Sequence, residues 1–261
     1  MLFRSFGQGL VFAIGGYTAA LSFGNLGITD AVTLAIGGGV LAFLVALPFA
    51  YLIARYRGIF FAMLSLALSM VLYGLLVKSQ TMGGSDGFNM GRPTLFGMSG
   101  GNYLSYAVTV TLAGIVGMAM RIYFDSTRGL VALASRDNEI RVEYLGSSVQ
   151  SLIAANYLIA AFTGGMGGAL AVIALGHVEP EFSFWTTSGD FVFVAILAGH
   201  HSVLAAFIAA TVLEIVRSFS SAYFPNSWQL SLGLFLLAVI RFLPRGIGSL
   251  WETRRRKGAH A

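Results

Sequence analysis

Apolar residues in this chain come in long unbroken runs rather than in alternation or in a half-polar helical stripe. Such runs fall near residues 9–23, 31–54, 58–77, 103–121 and 151–175, with a last one near 228–242. A helix needs roughly 20 apolar residues to cross about 30 Å of hydrocarbon. In lipid every backbone N–H and C=O must be satisfied within the segment, so continuous runs of this length predict helices. A β-barrel would instead alternate lipid-facing and lumen-facing residues. The pattern therefore predicts an all-α, polytopic membrane helix bundle of about six full spans.

The stretch from Phe184 to Phe219 breaks this pattern. It is too long for one span and is interrupted by Gly199-His200-His201-Ser202, leaving 191–198 and 203–216 each short for a crossing. Two readings are open: a re-entrant pair of half-helices, or two tilted spans joined by a tight turn. Both return the chain to the side it started from, so the segment is a return hairpin.

Charge tests this map. Lys and Arg in short loops favour the cytoplasmic side. With a cytoplasmic N-terminus and alternating spans, only Lys78, Arg92 and Arg217 of the 16 Lys and Arg fall outside. The acids Glu179, Glu181 and Asp190 fall outside as well. A single crossing over 184–219 would put the Arg-rich tail outside, so the bias supports the hairpin and a cytoplasmic C-terminus.

Composition agrees. Hydrophobic residues make up 56% of the 261 and charged residues only 10%, against about 25% charged in soluble domains, which need a polar coat. Mean hydropathy is +0.78. The net charge of +5 gathers in the basic tail at 243–261, where Arg254-Arg255-Arg256-Lys257 reads as an anchor beside anionic membrane lipid rather than as a nucleic-acid patch. Cysteine is absent, so no disulfide framework or cysteine-held metal is expected. The first residues do not read as a cleaved signal.

Several features carry candidate chemistry. The largest loop on the cytoplasmic side, 122–150, holds Leu130, Leu133, Ile140 and Leu145 at amphipathic spacing. This predicts two short helices broken near Asp137, with Asp137 or Asn138 capping the second and Gly146 ending it. The outward loop 80–102 is rich in Gly, Asn and Ser and reads either as a turn cluster or as a gating or receptor-facing loop; it lacks the Lys-Ser/Thr ending of a phosphate loop. Gly15-Gly16, Gly37-Gly38-Gly39 and Gly164-Gly165 with Gly167-Gly168 favour close helix packing, with a kink beside a translocation path as the other reading. Glu214 is an acid at membrane depth, a functional candidate by default, but Arg217 three positions on offers a structural ion pair. Adjacent His200 and His201 make a poor metal site, since neighbours on a helix point apart and no carboxylate sits at i+4. No metal site, cofactor or enzyme signature is expected: there is no nucleophile elbow and no His-Glu-x-x-His helix. No P-loop is present either, so ATP would have to be hydrolysed by separate subunits.

Four stretches resemble one family. Phe12-Ala13-Ile14-Gly15-Gly16-Tyr17-Thr18-Ala19-Ala20-Leu21 is similar to a "GIGAYTAAL" helix. Arg57-Gly58-Ile59-Phe60-Phe61-Ala62-Met63-Leu64-Ser65-Leu66-Ala67 is similar to its "RGIYFAILTLA" segment, and Gly83-Gly84-Ser85-Asp86-Gly87 follows at the expected distance. Ala134-Ser135-Arg136-Asp137-Asn138-Glu139-Ile140-Arg141-Val142-Glu143-Tyr144-Leu145-Gly146 is similar to "AIRENELRAEALG", and Leu243-Pro244-Arg245-Gly246-Ile247 to "FLPRGL". These resemble the LivM-like permeases of bacterial ABC importers for branched-chain amino acids, urea or short amides. The resemblance implies a transmembrane permease subunit in the bacterial inner membrane. It also implies that Arg136, Asp137, Asn138, Glu139, Arg141, Glu143 and Gly146 form the loop that couples to a cytoplasmic ATPase. The implied partners are a second, LivH-like permease, two ATPase subunits and an extracytoplasmic solute-binding protein. Two departures stand out: only Ser5-Phe6-Gly7-Gln8-Gly9 precedes the first motif, and the family's glycine-rich hairpin tip is replaced by Leu197-Ala198-Gly199-His200-His201-Ser202. Gly199, His200, His201 and Glu214 are therefore candidate pathway or hairpin residues. The competing expectation is a self-sufficient channel or secondary carrier.

Overall fold

In the computed structural model, residues 7–56, 59–95, 101–146, 148–199, 202–223, 225, 227–243 and 246–248 are described. They form two compact units, Met1–Ser188 and Gly189–Ala261.

The first unit contains α1 (Gln8–Leu26), α2 (Ala31–Ala54), α3 (Ile59–Lys78), α4 (Gly101–Asp125), the short α5 (Thr127–Asp137) and α6 (Glu139–Tyr144), and the long α7 (Val149–Leu175). Its centre is α1, α2 and α7. On α7, Val149, Ile153, Tyr157, Ala161, Gly165, Ala169 and Ile173 are buried at an unbroken four-residue spacing. On α2, Ala42, Ala46, Ala50 and Ala54 are buried at the same spacing. Rows of every fourth residue are the ridges that interdigitate between packed helices.

Glycine brings these helices closer still. A Cβ at Gly15 would fall on the backbone of Gly165, and one at Gly168 on the carbonyl of Phe12. A Cβ at Gly38 would sit 2.8 Å from both the Ala169 Cβ and the Gly15 carbonyl oxygen. Gly37 and Gly167, one step round their helices, face open space. Of the two readings of these glycines, direct backbone packing is the one observed, and it supplies dispersion contact where burial of apolar surface from water contributes nothing.

The two ends of this unit differ. At one end, Phe88–Asn89 (β1) pairs antiparallel with His177–Val178 (β2). Met90 N–H donates to the Gly176 carbonyl at 2.8 Å, and the His177 ring meets Asn89 Oδ1 at 2.9 Å. The glycine-rich loop leading into β1 therefore closes onto the end of α7. Asp30 caps α2 at this end, accepting from Thr33 N–H at 3.0 Å. At the other end sit α5 and α6. Between them, Ser69 donates to the Ser183 carbonyl at 2.7 Å, and Gly9 N–H, left without an intrahelical partner at the start of α1, donates to Ser188 Oγ at 3.0 Å. These buried serines satisfy groups that lipid could not.

The second unit holds most of α8 (Trp185–Ala198), then α9 (Val203–Tyr223) and α10 (Trp228–Phe242). Leu197, Ala205, Ala209, Leu213, Leu232 and Leu236 form its core. The expected halves of the hairpin prove unequal. Helix α9 runs to Tyr223 and, at 21 residues, is long and apolar enough to cross a membrane, whereas α8 has 14 residues. The expectation that 203–216 is too short failed because the helix does not stop where the apolar run does: it continues through Arg217 to Tyr223. Among the described residues, six helices meet the length and hydropathy of a span: α1, α2, α3, α4, α7 and α9. The sixth is α9 rather than the expected 228–242 segment, which has the expected bounds but only 15 residues. The chain is an all-α, multi-pass membrane bundle.

Candidate functional site: the α5–α6 knuckle and the hairpin

The break predicted near Asp137 is present: α5 ends there, and Asn138 lies between the two helices with extended backbone (φ −157°, ψ 104°). Its side-chain Oδ1 accepts from Arg141 N–H at 3.0 Å. Of the two expected caps, Asn138 is therefore the one that closes α6. Glu139 follows in the first turn, where a negative charge suits the helix dipole. Gly146, at φ +84°, ends the element as expected, its N–H donating to the Glu143 carbonyl at 2.9 Å. Arg136 and Asp137 close the last turn of α5; their side chains lie outside the described residues.

The chain thus places the seven candidate residues of this loop on one knuckle. Between the charges, however, the knuckle displays apolar side chains. Ile140, Tyr144 and Leu145 are 66%, 87% and 80% exposed. Ile140 and Leu145 stand at the expected amphipathic spacing; Tyr144 was not among the expected apolar positions. Only Val142 turns inward on α6, joining a buried cluster that also holds Val149, Ile153, Ala50, Ala54 and Phe61.

Of the hairpin candidates, Gly199 and Glu214 are described. Gly199 ends α8 at φ +76°. Glu214 lies eleven residues into α9, about 17 Å along the helix from its start at 1.5 Å per residue. His200 and His201 lie outside the described residues, as do the tail at 249–261 and Arg57, Gly58, Pro244 and Arg245 in the motifs.

Glu214 is not the principal partner of Arg217. The guanidinium forms a close ion pair with Asp190 on α8, while Glu214 stands 3.6 Å away and is 68% exposed. The Trp228 ring, at the start of α10, lies 5.9 Å from the same guanidinium. Asp190 was missed because its partner is 27 residues away on another helix. The available signal was that a lone acid sits in the otherwise uncharged α8.

Inside the same unit, the last motif acquires a structural role. Ile247 N–H donates to the Leu197 carbonyl at 2.9 Å, one of the acceptors left over at the end of α8. Gly246, at φ +74°, lies so close to Gly199 that a Cβ there would be 2.5 Å from the Gly199 nitrogen. Two left-handed glycines thus clasp the hairpin turn to the segment following α10. Among the described residues, no group of three or more His, Cys, Asp or Glu could hold a metal ion.

Residues 3–242 match the family described as "Branched-chain amino acid transport system / permease component". The chain belongs to this family. Neither the curated proteins nor the solved structures yield a match. The spans and the family together make this a multi-pass transport permease component; the match takes in the first three motifs, and the fourth, Leu243–Ile247, follows directly after it.

Proposed function

We propose that this permease is the LivM-like subunit of an ABC importer that moves a small polar solute, branched-chain amino acids foremost, inward across the bacterial cytoplasmic membrane. Its α5–α6 knuckle, Arg136 to Gly146, faces the cytoplasm and docks on an ATPase subunit. The observation that carries this reading is the knuckle itself: a capped six-residue helix that offers Ile140, Tyr144 and Leu145 to a partner among charges that set register. Exposed apolar side chains in a loop, rimmed by charge, are the composition of a contact surface. The partners are a second, LivH-like permease, two cytoplasmic ATPase subunits and an extracytoplasmic solute-binding protein. The basic tail anchors the chain on the cytoplasmic leaflet. The motif Asn138-Glu139-Ile140-Arg141 and the thirteen Lys and Arg that alternation places inside support the orientation.

The test is reconstitution with the candidate ATPase subunits. Uptake should require them and ATP. Reversing Asp137 and Glu139 to Lys should reduce both ATPase association and uptake by at least about tenfold, the equivalent of about 1.4 kcal/mol. Normal uptake by the reversed variant would remove the coupling role. Transport by the purified chain alone in liposomes would instead favour a self-sufficient channel or carrier.

A further inference from the structure

A six-residue helix has no stability of its own, because helix nucleation costs more than so few hydrogen bonds return. The orientation of α6 is therefore set by what it and its neighbours grip. Two grips are visible, and both lead to α7. At the end of α4, Tyr123 O–H donates to Asn156 Oδ1 at 2.6 Å, a part-buried bond between residues 33 apart in sequence. On α6, Val142 is 3% exposed and belongs to the same buried cluster as Val149 and Ile153 in the first turns of α7, the helix that α6 touches.

From these grips α7 runs on without a break for 27 residues to the Gly176 cap. There the Gly176 carbonyl accepts from Met90 N–H, and Val178 pairs with Phe88. Along its middle, Gly165 and Gly168 lie against the backbones of α1 and α2 too closely for any side chain. Close-packed protein transmits displacement rather than absorbing it. A glycine-rich helix in open surroundings would flex; this one is walled in.

We propose that Tyr123, Asn156 and Val142 are positioning residues that join the α5–α6 knuckle to α7 as one mechanical body. A push delivered to the knuckle then reaches the β1–β2 end through a continuous rigid helix. This rests on the proposed function above, since the push is that of an ATPase subunit. A loose knuckle would still dock, but its motion would be lost in the linker.

The experiment uses the full chain reconstituted with its ATPase subunits, comparing Tyr123→Phe, Asn156→Ala and Val142→Ala with the parent. Tyr123→Phe and Asn156→Ala should keep ATPase association and hydrolysis within about twofold while solute taken up per ATP falls by about fivefold, the scale of one lost net hydrogen bond; Val142→Ala, inside the docking knuckle, should lower the same uptake-to-ATP ratio. Asn156→Asp, which keeps the accepting oxygen, should restore the ratio, and Tyr123→Phe combined with Asn156→Ala should be no worse than either alone. The chain contains no cysteine, so Ser85→Cys gives a single thiol in the loop before β1. Its maleimide labelling rate should change with ATP in the parent and stay constant in the three variants. An unchanged uptake-to-ATP ratio, or the same nucleotide-dependent labelling in the variants as in the parent, would overturn the proposal. So would a parallel fall of association, hydrolysis and uptake, which would mean these contacts serve only folding. Failure of the parent chain to engage the ATPase subunits would instead refute the functional reading beneath it.

Discussion

The α1–α2–α7 core and the α8–α10 unit solve the same problem, holding helices together in lipid, by opposite means. The first has no charge at its contacts. Gly15, Gly38, Gly165 and Gly168 let backbones touch, and alanines at four-residue spacing fill the rest. The second relies on point attachments: the Asp190–Arg217 pair, the Trp228 ring over the guanidinium, and the Gly199–Gly246 clasp. A distributed contact of many weak terms has no single release point. A set of discrete bonds does. The contrast teaches that the first unit spreads its cohesion along whole helices, whereas the second adds to its apolar core a few contacts that single substitutions can remove.

Substitutions can break this contrast at graded cost. The largest effect belongs to the close-packed core. Gly168→Val places a branched side chain on the Phe12 carbonyl, an overpacking cost of about 3 kcal/mol or more. It should abolish recovery of monodisperse protein in detergent, whereas Gly167→Ala, facing open space, should leave the melting temperature unchanged. Next comes the clasp. Gly246→Ala combines left-handed backbone strain, about 1–2 kcal/mol, with overlap on Gly199. It should increase proteolysis at the hairpin turn while the first unit melts as before. The smallest effects lie in the ion network. Asp190→Asn should cost about 1 kcal/mol, since both partners are about a third exposed and water screens them. Glu214→Gln should cost only a few tenths, because that acid is largely exposed. A double-mutant cycle with Arg217→Gln reads both values. A larger coupling for Glu214 than for Asp190 would reverse the assignment of partners.

Much of the fold could be read from residues alone because lipid allows so few solutions. Continuous apolar runs placed α2 and α10 at their observed bounds and α1, α3, α4 and α7 within a few residues. The knuckle was also legible, since its break, its cap and its terminating glycine are local events, set by side chains within three residues of each other. What could not be read was pairing at a distance. Glu214 was matched with Arg217 because i,i+3 spacing is visible in one dimension; Asp190 is nearer only once α8 folds back along α9. The apolar run stops at Val216, but the helix carries on through Arg217 to Tyr223, since a charged side chain does not interrupt backbone hydrogen bonding. The glycines showed small-residue spacing, but only packing distinguishes Gly38, pressed against two backbones, from Gly37, which touches nothing within 4 Å.

The shortness of α8 and α10 has a consequence for the surrounding bilayer. At 14 and 15 residues they extend only about 21–22 Å, against roughly 30 Å of hydrocarbon. A helix of that length cannot cross alone, so the remainder of any crossing here would have to be supplied by neighbouring protein, by water or by a locally thinned bilayer, at a fraction of a kcal/mol per ångström of mismatch.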